Sequence, residues 1–410
     1  MPHLPKVSVC IPSYNHARYL PQTLDGVLGQ TYQDFEVVVV DDGSTDGSLE
    51  VLEAYAARHP EKVRVFTHPG RENRGISPTA NLAFEKSRGE YWAGLTSDDV
   101  WYADALESLV AHLDAHPEAG IVYGRMSLMD EEGRPAGGVE GSDVNACPDP
   151  LSGLIQRNPI PAVTVMARRE CFERYGGFRD GLVYSDWELW IRFVAQRPAG
   201  FIDRPLCRYR VHSYNSSVGI PFEADLRHRL AVMASLRDNA EADGGGLLGV
   251  RRRALIDLQF AFLRYHLGDM HGVRADLEAA FTRDPSLRGD VGFLAAWLRD
   301  REEDVTALRL PPDRRGRFAG WVLARLPPYV GERGARDVAS RYGDLSLRAA
   351  AAESYQAGDL RAARRRALRC VANDPRRLAD RGLLFILAES ALGAKTMGAL
   401  RRLRGRLHRP

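Results

Sequence analysis

The chain has 410 residues, 44% apolar and 27% charged, a globular composition long enough for two or three domains with real cores. A formal net charge of +2 gives no basis for a nucleic-acid partner held by charge. The five cysteines, Cys10, Cys147, Cys171, Cys207 and Cys370, show no Cys-x-x-Cys spacing, which argues against a zinc site and fits a reducing compartment.

In chain order, Val7 to Ile11 reads as a strand that Pro12-Ser13-Tyr14-Asn15 breaks into a loop, and an amphipathic helix follows over about 17–30. Phe35 to Val40 is β-branched and nearly all apolar, as a central parallel strand should be, and ends abruptly in Asp41-Asp42-Gly43-Ser44-Thr45-Asp46-Gly47. The pattern predicts a helix over 48–58, a strand over 63–66 and a helix over 77–87. An apolar strand then opens at Tyr91 and ends in Thr96-Ser97-Asp98-Asp99, with a helix over 104–116 and a strand over 121–123 after it. Such alternation predicts an α/β domain with a mainly parallel, Rossmann-like sheet, because right-handed crossovers put every strand's C-terminal end on one edge. Tyr14, Asp41, Asp42, Asp98 and Asp99 should therefore converge on one crevice, where open α/β sheets place ligands.

Acidic loops without a Walker lysine or a Gly-x-Gly-x-x-Gly turn are not built to hold phosphate directly; they suit phosphate held through a metal. Two carboxylates beside hydroxyls, with no Cys or His nearby in sequence, point to Mg²⁺ or Mn²⁺. An aromatic at Tyr14 to stack on a base and a carboxylate at Asp41 to accept from its edge complete a nucleotide diphosphate site. Each residue also has a plainer role open to it. Asp98 and Asp99 can cap the next helix, Asp41 and Asp42 can serve their turn, and Tyr14 can cover the sheet edge.

Beyond Tyr123, Asp130-Glu131-Glu132-Gly133 reads as a turn, and the Gly/Pro-rich span from Pro135 to Pro150 as a mobile loop, an insertion or a lid. Ile160 to Met166 reads as a strand. Tyr184 to Arg192, with Trp187, Trp190, Ile191 and Val194 apolar, reads as an amphipathic helix with Asp186 in its first turn, an acid on a fixed element or simply a first-turn residue favoured by the helix dipole, and Glu188 reads as a second acid or as part of a solvated face. Arg208-Tyr209-Arg210-Val211-His212 comes further on, and a lone histidine such as His212 has a structural place open to it.

Val7-Ser8-Val9-Cys10-Ile11-Pro12-Ser13-Tyr14-Asn15, Val40-Asp41-Asp42-Gly43-Ser44-Thr45-Asp46, Glu72-Asn73-Arg74-Gly75 and Ser97-Asp98-Asp99 together resemble the family 2 glycosyltransferases of GT-A fold over roughly the first half of the chain. The resemblance implies inverting transfer of a sugar from a nucleotide diphosphate sugar, usually UDP-linked, with a divalent metal as cofactor. Nucleotide-binding roles then fall on Pro12, Ser13, Tyr14, Asp41, Arg74 and Thr96, and metal roles on Asp98, Asp99 and His212. Arg210 is implied at the diphosphate. Tyr184-Ser185-Asp186-Trp187-Glu188-Leu189-Trp190-Ile191-Arg192 is similar to the family's Glu-Asp-x-x-Leu-x-x-Arg helix, which makes Asp186 the catalytic base, with Ser185 in place of the usual Glu. Thr96 stands where the Asp-x-Asp motif has its first acid.

From about 221 the chain becomes helical throughout, so the expected domains are 1–220 and an all-α 221–410. Phe262 to Asp269, with Ala275, Ala279 and Asp284-Pro285, repeats in Glu353 to Asp359, with Ala362, Ala363, Ala367 and Asp374-Pro375. Both resemble a tetratricopeptide-like helical hairpin. This region is expected to bind a glycan, lipid-linked glycan or peptide acceptor, to pair with a second copy of the chain, or to serve only as a structural appendix. Residues 361–410 carry 14 Lys and Arg against 3 Asp and Glu, and the Arg401 to Arg409 tail can touch an anionic membrane surface or stay solvated. With no signal peptide and no apolar segment long enough to span a bilayer, a cytoplasmic protein, peripheral at most to the membrane's inner face, is expected. A nucleotide-sugar-binding scaffold without catalysis is the alternative from another class.

Overall fold

The computed structural model describes residues 4–213, 215, 219–242, 248–307, 317–373 and 380–392. They form two compact units, residues 1–283 and residues 284–410. The change to an all-helical chain comes where it is expected, at Phe222, but the units divide about sixty residues later.

Nine strands make one mixed sheet: β1 (Val7–Ser13), β2 (Phe35–Asp41), β3 (Val63–Thr67), β4 (Tyr91–Gly94), β5 (Val100–Trp101), β6 (Ile121–Met129), β7 (Pro135–Glu140), β8 (Met166–Arg168) and β9 (Ala199–Arg210). Their order is β3-β2-β1-β4-β8-β6-β9-β5, with β7 added on β6. The helices of this unit are α1 (Leu20–Leu28), α2 (Ser48–Arg58), α3 (Ile76–Lys86), α4 (Ala105–Ala115), α5 (Pro150–Gln156), α6 (Arg169–Tyr175), α7 (Ser185–Val194), α8 (Phe222–Ala242), α9 (Gly249–Leu267) and α10 (Met270–Arg283). Residues of β2 are buried on both faces, which is why its Val37-Val38-Val39-Val40 run shows no polar alternation.

Strands β1 to β4 pair in parallel, as expected from the βα alternation. Beyond them the sheet departs from that expectation: β8 is antiparallel to both β4 and β6, and β5 is antiparallel to β9. The regular βα alternation ends after α4, so no crossover constrains the direction of the later strands. Ile160 to Met166 is a strand only at its end; residues 162–164 form a 3₁₀ turn and β8 starts at Met166. Pro159 and Pro161 lack the N–H a ladder needs. The Gly/Pro-rich span expected as a loop instead begins with β7, exposed throughout and paired antiparallel to β6. Solvent reaches both its faces, so no hydrophobic alternation marks it as a strand.

The later strands place the second half of the site. In the β6–β9 parallel pair Met129 lies opposite Arg210, and in the β5–β9 antiparallel pair Val100 lies opposite Arg208. Asp98 and Asp99, just before β5, are thereby brought beside Arg210 and His212 at the end of β9.

Helix α8 packs on α7 and α9, and α5 also packs on α9, so the first helices past 221 belong to the sheet-bearing unit. Tyr184 Oη donates to Asp225 Oδ1 at 2.5 Å, tying the entry to α7 to the start of α8. The second unit contains α11 (Val291–Ala307), α12 (Arg317–Leu323), α13 (Pro327–Gln356, kinked at Gly331), α14 (Leu360–Asn373) and α15 (Arg381–Leu392). Ala351, Ala363, Ala367 and Cys370 form a small core with Leu383 and Ile386.

The two repeated segments are helical hairpins with the same joint. Gly268 and Gly358 close α9 and α13 with φ of 81° and 78°, a left-handed cap that favours glycine. The next aspartate then caps the following helix, Asp269 Oδ1 accepting from Gly272 N–H and Asp359 Oδ1 from Ala362 N–H, each at 2.9 Å. Asp374-Pro375 and the Arg401 to Arg409 tail lie outside the described residues. Among the described residues no helix is long and apolar enough to cross a membrane.

Candidate functional site

The ends of β1 and β2 meet in register, Ser13 opposite Asp41. Both side chains are buried. Asp41 Oδ1 accepts from the N–H groups of Gly43 at 3.2 Å and Ser44 at 3.0 Å, while Asp41 Oδ2 and Ser13 Oγ have no partner among the described residues. Buried polar atoms are nearly always paired, so two unmatched ones side by side at a sheet edge are the chemistry of a place where a ligand supplies the partner. Pro12 precedes them on the strand, and Tyr14 follows with 46% of its surface exposed. The loop beyond is tied to the β2 loop: Asn15 Oδ1 accepts from Thr45 N–H at 2.8 Å, and Ser48 Oγ from His16 N–H at 3.0 Å.

Asp42 is a brace rather than an open carboxylate. Its two oxygens accept from Arg74 N–H at 2.7 Å and Gly75 N–H at 2.9 Å, which fixes the loop leading into α3 and leaves the Arg74 side chain exposed. The two loops touch at Gly43, whose φ is +76° and where an added Cβ would lie 2.6 Å from the Arg71 carbonyl oxygen. Gly43→Ala is therefore expected to cost about 2 kcal/mol or more, seen as a lowered thermal midpoint and weakened nucleotide binding together. An unchanged midpoint would mean the loops do not meet this way.

At the end of β4, Asp98 is buried and surrounded by imidazoles. His212 Nε2 lies 2.9 Å from Asp98 Oδ2, His16 Nδ1 lies 3.9 Å from Asp98 Oδ1, and Asn215 Nδ2 donates to Oδ2 at 3.4 Å. Burial alone would push the Asp98 carboxyl up, but the His212 hydrogen bond and the two imidazoles hold it below the usual carboxylate range. One ligand atom from each of His16, Asp98 and His212 lies within 4.8 Å of the others. One carboxylate and two imidazole nitrogens make a donor set that fits a divalent ion.

Asp99, expected beside Asp98 at the metal, is instead turned inward. It is fully buried; Oδ1 accepts from Arg210 N–H at 2.7 Å and Oδ2 from the Thr96 hydroxyl. Burial and the neighbouring Asp98 charge push its carboxyl well above the ordinary range. Arg210, expected at a diphosphate, is buried too. Its guanidinium donates to the carbonyls of Asp98 at 2.8 Å and Glu131 at 2.9 Å, and to Gln22 Oε1, so it holds the Asp98 loop in place.

Asp186 occupies the first turn of α7, half-buried, with Oδ2 accepting from Asn158 Nδ2 at 3.3 Å. Burial pushes its carboxyl up to about 6, against the opposing pull of the Trp187 and Asp186 backbone N–H groups and of Asn158. A carboxylate with that value is matched to proton abstraction near neutral pH. The helix is held where it is by neighbouring contacts. Ser77 Oγ donates to Ser185 Oγ at 2.9 Å, which joins α7 to the α3 entry that Asp42 braces. Glu188, expected on a solvated face, is fully buried and paired with Arg192 at 2.9 Å, while Arg192 also donates to the carbonyls of Gly176 and Gly177.

The structure thus gathers Ser13, Tyr14 and Asp41 on neighbouring strand ends, sets Asp98 with His212, and ties Asp186 to the Asp42-braced loop. Sequence reasoning missed His16, Asn158 and Asn215. His16 stands two residues past Tyr14 in a strand-end loop, and that position is the available signal.

Residues 8–140 match the family model described as Glycosyl transferase family 2. Over 220 residues the chain is 31% identical to an uncharacterized glycosyltransferase of Rickettsia felis, covering 52% of this chain and 36% of that one. Over 130 residues it is 36% identical to chondroitin synthase of Escherichia coli, covering 32% of this chain and 18% of that one. The crystal structure of S. aureus TarS 1-349 in complex with UDP-GlcNAc aligns with a TM-score of 0.49 at 20% identity, over 86% of this chain and 92% of that one. The chain therefore spans well under two thirds of the length of either of the two sequence relatives.

Proposed function

We propose, from the match of residues 8–140 to the glycosyl transferase family 2 model, that the chain moves a sugar from a UDP-linked donor to a hydroxyl of a glycan or lipid-linked glycan, with inversion. The observation that carries the proposal is Asp98: a buried carboxylate just past the end of β4 with two imidazoles turned on it, one strand from the unmatched Ser13 Oγ and two from Asp41 Oδ2. Those two atoms take up the edge of the base, Tyr14 stacks on its face beside Pro12, exposed Arg74 reaches the nucleotide, and Thr96 keeps lone pairs to accept from a ribose hydroxyl. A divalent ion held by Asp98 and His212 would neutralise the charge that develops on the departing diphosphate. Asp186 accepts the acceptor's hydroxyl proton while that oxygen attacks the anomeric carbon. Asp99 and Arg210 keep Asp98 in position.

Residues 1–220 carry this chemistry in our proposal, and the helices after 221 recruit the acceptor at the cytoplasmic side of a membrane or pair with a second copy. The likeness to chondroitin synthase favours a glycan acceptor; the helical hairpins would instead suit a peptide.

Calorimetry with the full chain tests the proposal. UDP is expected to bind with Mn²⁺ or Mg²⁺ present and far more weakly in EDTA, and a panel of nucleotide sugars should show slow hydrolysis of one donor class. Metal-independent binding with no turnover of any donor would favour the scaffold.

A further inference from the structure

We propose that His16 is the third protein ligand of the divalent ion, and that its nitrogen makes the site select Mn²⁺, Co²⁺ or Zn²⁺ over Mg²⁺. The inference rests on the nucleotide-sugar reading above, and goes beyond it in naming a ligand and the class of ion.

Three observations carry it. First, His16, Asp98 and His212 each present one ligand atom within 4.8 Å of the others, and donors on one ion at about 2.0–2.2 Å are separated by at most roughly 4.4 Å, so small side-chain shifts close the shell. Second, the His16 ring is fixed facing that point. Its backbone N–H is held by Ser48 Oγ at 3.0 Å, its Nδ1 lies 2.8 Å from Ser97 Oγ, and its ring meets the His212 ring edge-on with centroids 5.5 Å apart. Third, the oxygens that would make the shell harder are engaged elsewhere. Asp99 has its carboxylate oxygens occupied by Arg210 N–H and by the Thr96 hydroxyl, and the Ser97 hydroxyl, next to Asp98 in sequence, is paired with His16 Nδ1.

The shell is thus one carboxylate and two imidazoles. Mg²⁺ favours oxygen ligands and gives up water reluctantly, whereas imidazole suits the later divalent metals, with Mn²⁺ tolerating both. His16 also enters from the loop after β1, the same loop that carries Tyr14, so binding of the ion and order of the base-stacking loop are linked.

Pulsed EPR and calorimetric titration of Mn²⁺ into the full chain test this. Wild type should show nitrogen couplings from two imidazoles and bind Mn²⁺ at least about tenfold more tightly than Mg²⁺. His16→Ala should show one imidazole and lose about tenfold or more in Mn²⁺ affinity, while UDP affinity in EDTA and the thermal midpoint stay near wild type. His16→Asp should regain ion binding but lose most of the preference over Mg²⁺, a change that a merely structural histidine would not produce. A single imidazole in wild type, unchanged Mn²⁺ affinity in His16→Ala, or equal affinity for Mg²⁺ overturns the proposal and leaves the glycosyltransferase reading standing. Absence of any ion binding by wild type overturns both.

Discussion

Asp186→Asn is expected to lower kcat by roughly 10²–10⁴-fold while leaving UDP affinity unchanged, the loss typical of a removed general base. The substitution keeps the shape and one hydrogen-bonding oxygen but removes the site that takes the proton. Its setting explains why the loss should be in turnover and not in binding: Asp186 lies on α7, which is tied to the starts of α3 and α8, whereas the proposed base contacts, Ser13, Tyr14 and Asp41, lie at the ends of β1 and β2. In wild type, activity should fall as pH drops through about 6, because the base works only when ionised. Asn158 donates to the charged form, so Asn158→Ala should move that limb to higher pH.

Stability should move the other way. A carboxyl whose value is raised on folding stabilises the protein below its unfolded value near 4, and that contribution disappears as pH rises through about 6. Above that pH ionised Asp186 is a destabilising group, so Asp186→Asn should melt higher than wild type at pH 7.5 and about equally at pH 4. Full activity in this variant, or a lower midpoint at pH 7.5, removes Asp186 from the proposed role.

Asp98→Ala is expected to abolish metal-dependent UDP binding and to lower turnover by at least about 10²-fold, since it removes the only carboxylate of the His16-Asp98-His212 group. Arg210 should stay in place, because its guanidinium holds the Asp98 carbonyl, not the side chain. The contrast with Asp99→Asn separates the two acids. Asp99 is pushed toward its neutral form and its carboxyl pairs with Arg210 N–H and the Thr96 hydroxyl, so an amide there should keep ion binding and most activity. Equal loss of ion binding in the two variants would return Asp99 to the metal.

The β1–β2 side of the candidate site is legible in the sequence because its information is local. The apolar run Phe35 to Val40 and the acids right after it mark a strand end, and regular βα alternation puts such ends on one edge. Ser48–Arg58 ends where its pattern says. The rest depends on partners far apart in the chain. Nothing near Asp98 announces that β9 will run parallel to β6 and antiparallel to β5, yet that pairing brings His212 to Asp98 and puts Arg210 to structural use. The pairing of Glu188 with Arg192 was available as an i,i+4 spacing, but its burial was not, because that comes from α8, where Ser235 and Asn239 approach Glu188. Exposed β7 carried no alternation to read at all.

The most direct measurement is a crystal structure of the full chain with UDP and Mn²⁺. The account predicts the ion bound to Asp98 and His212 with the diphosphate on it, the base between Tyr14 and the Ser13–Asp41 pair, and the Asp186 carboxylate facing the open side of the phosphate. A nucleotide bound away from Asp98, or Asp186 pointing away from it, would contradict the account.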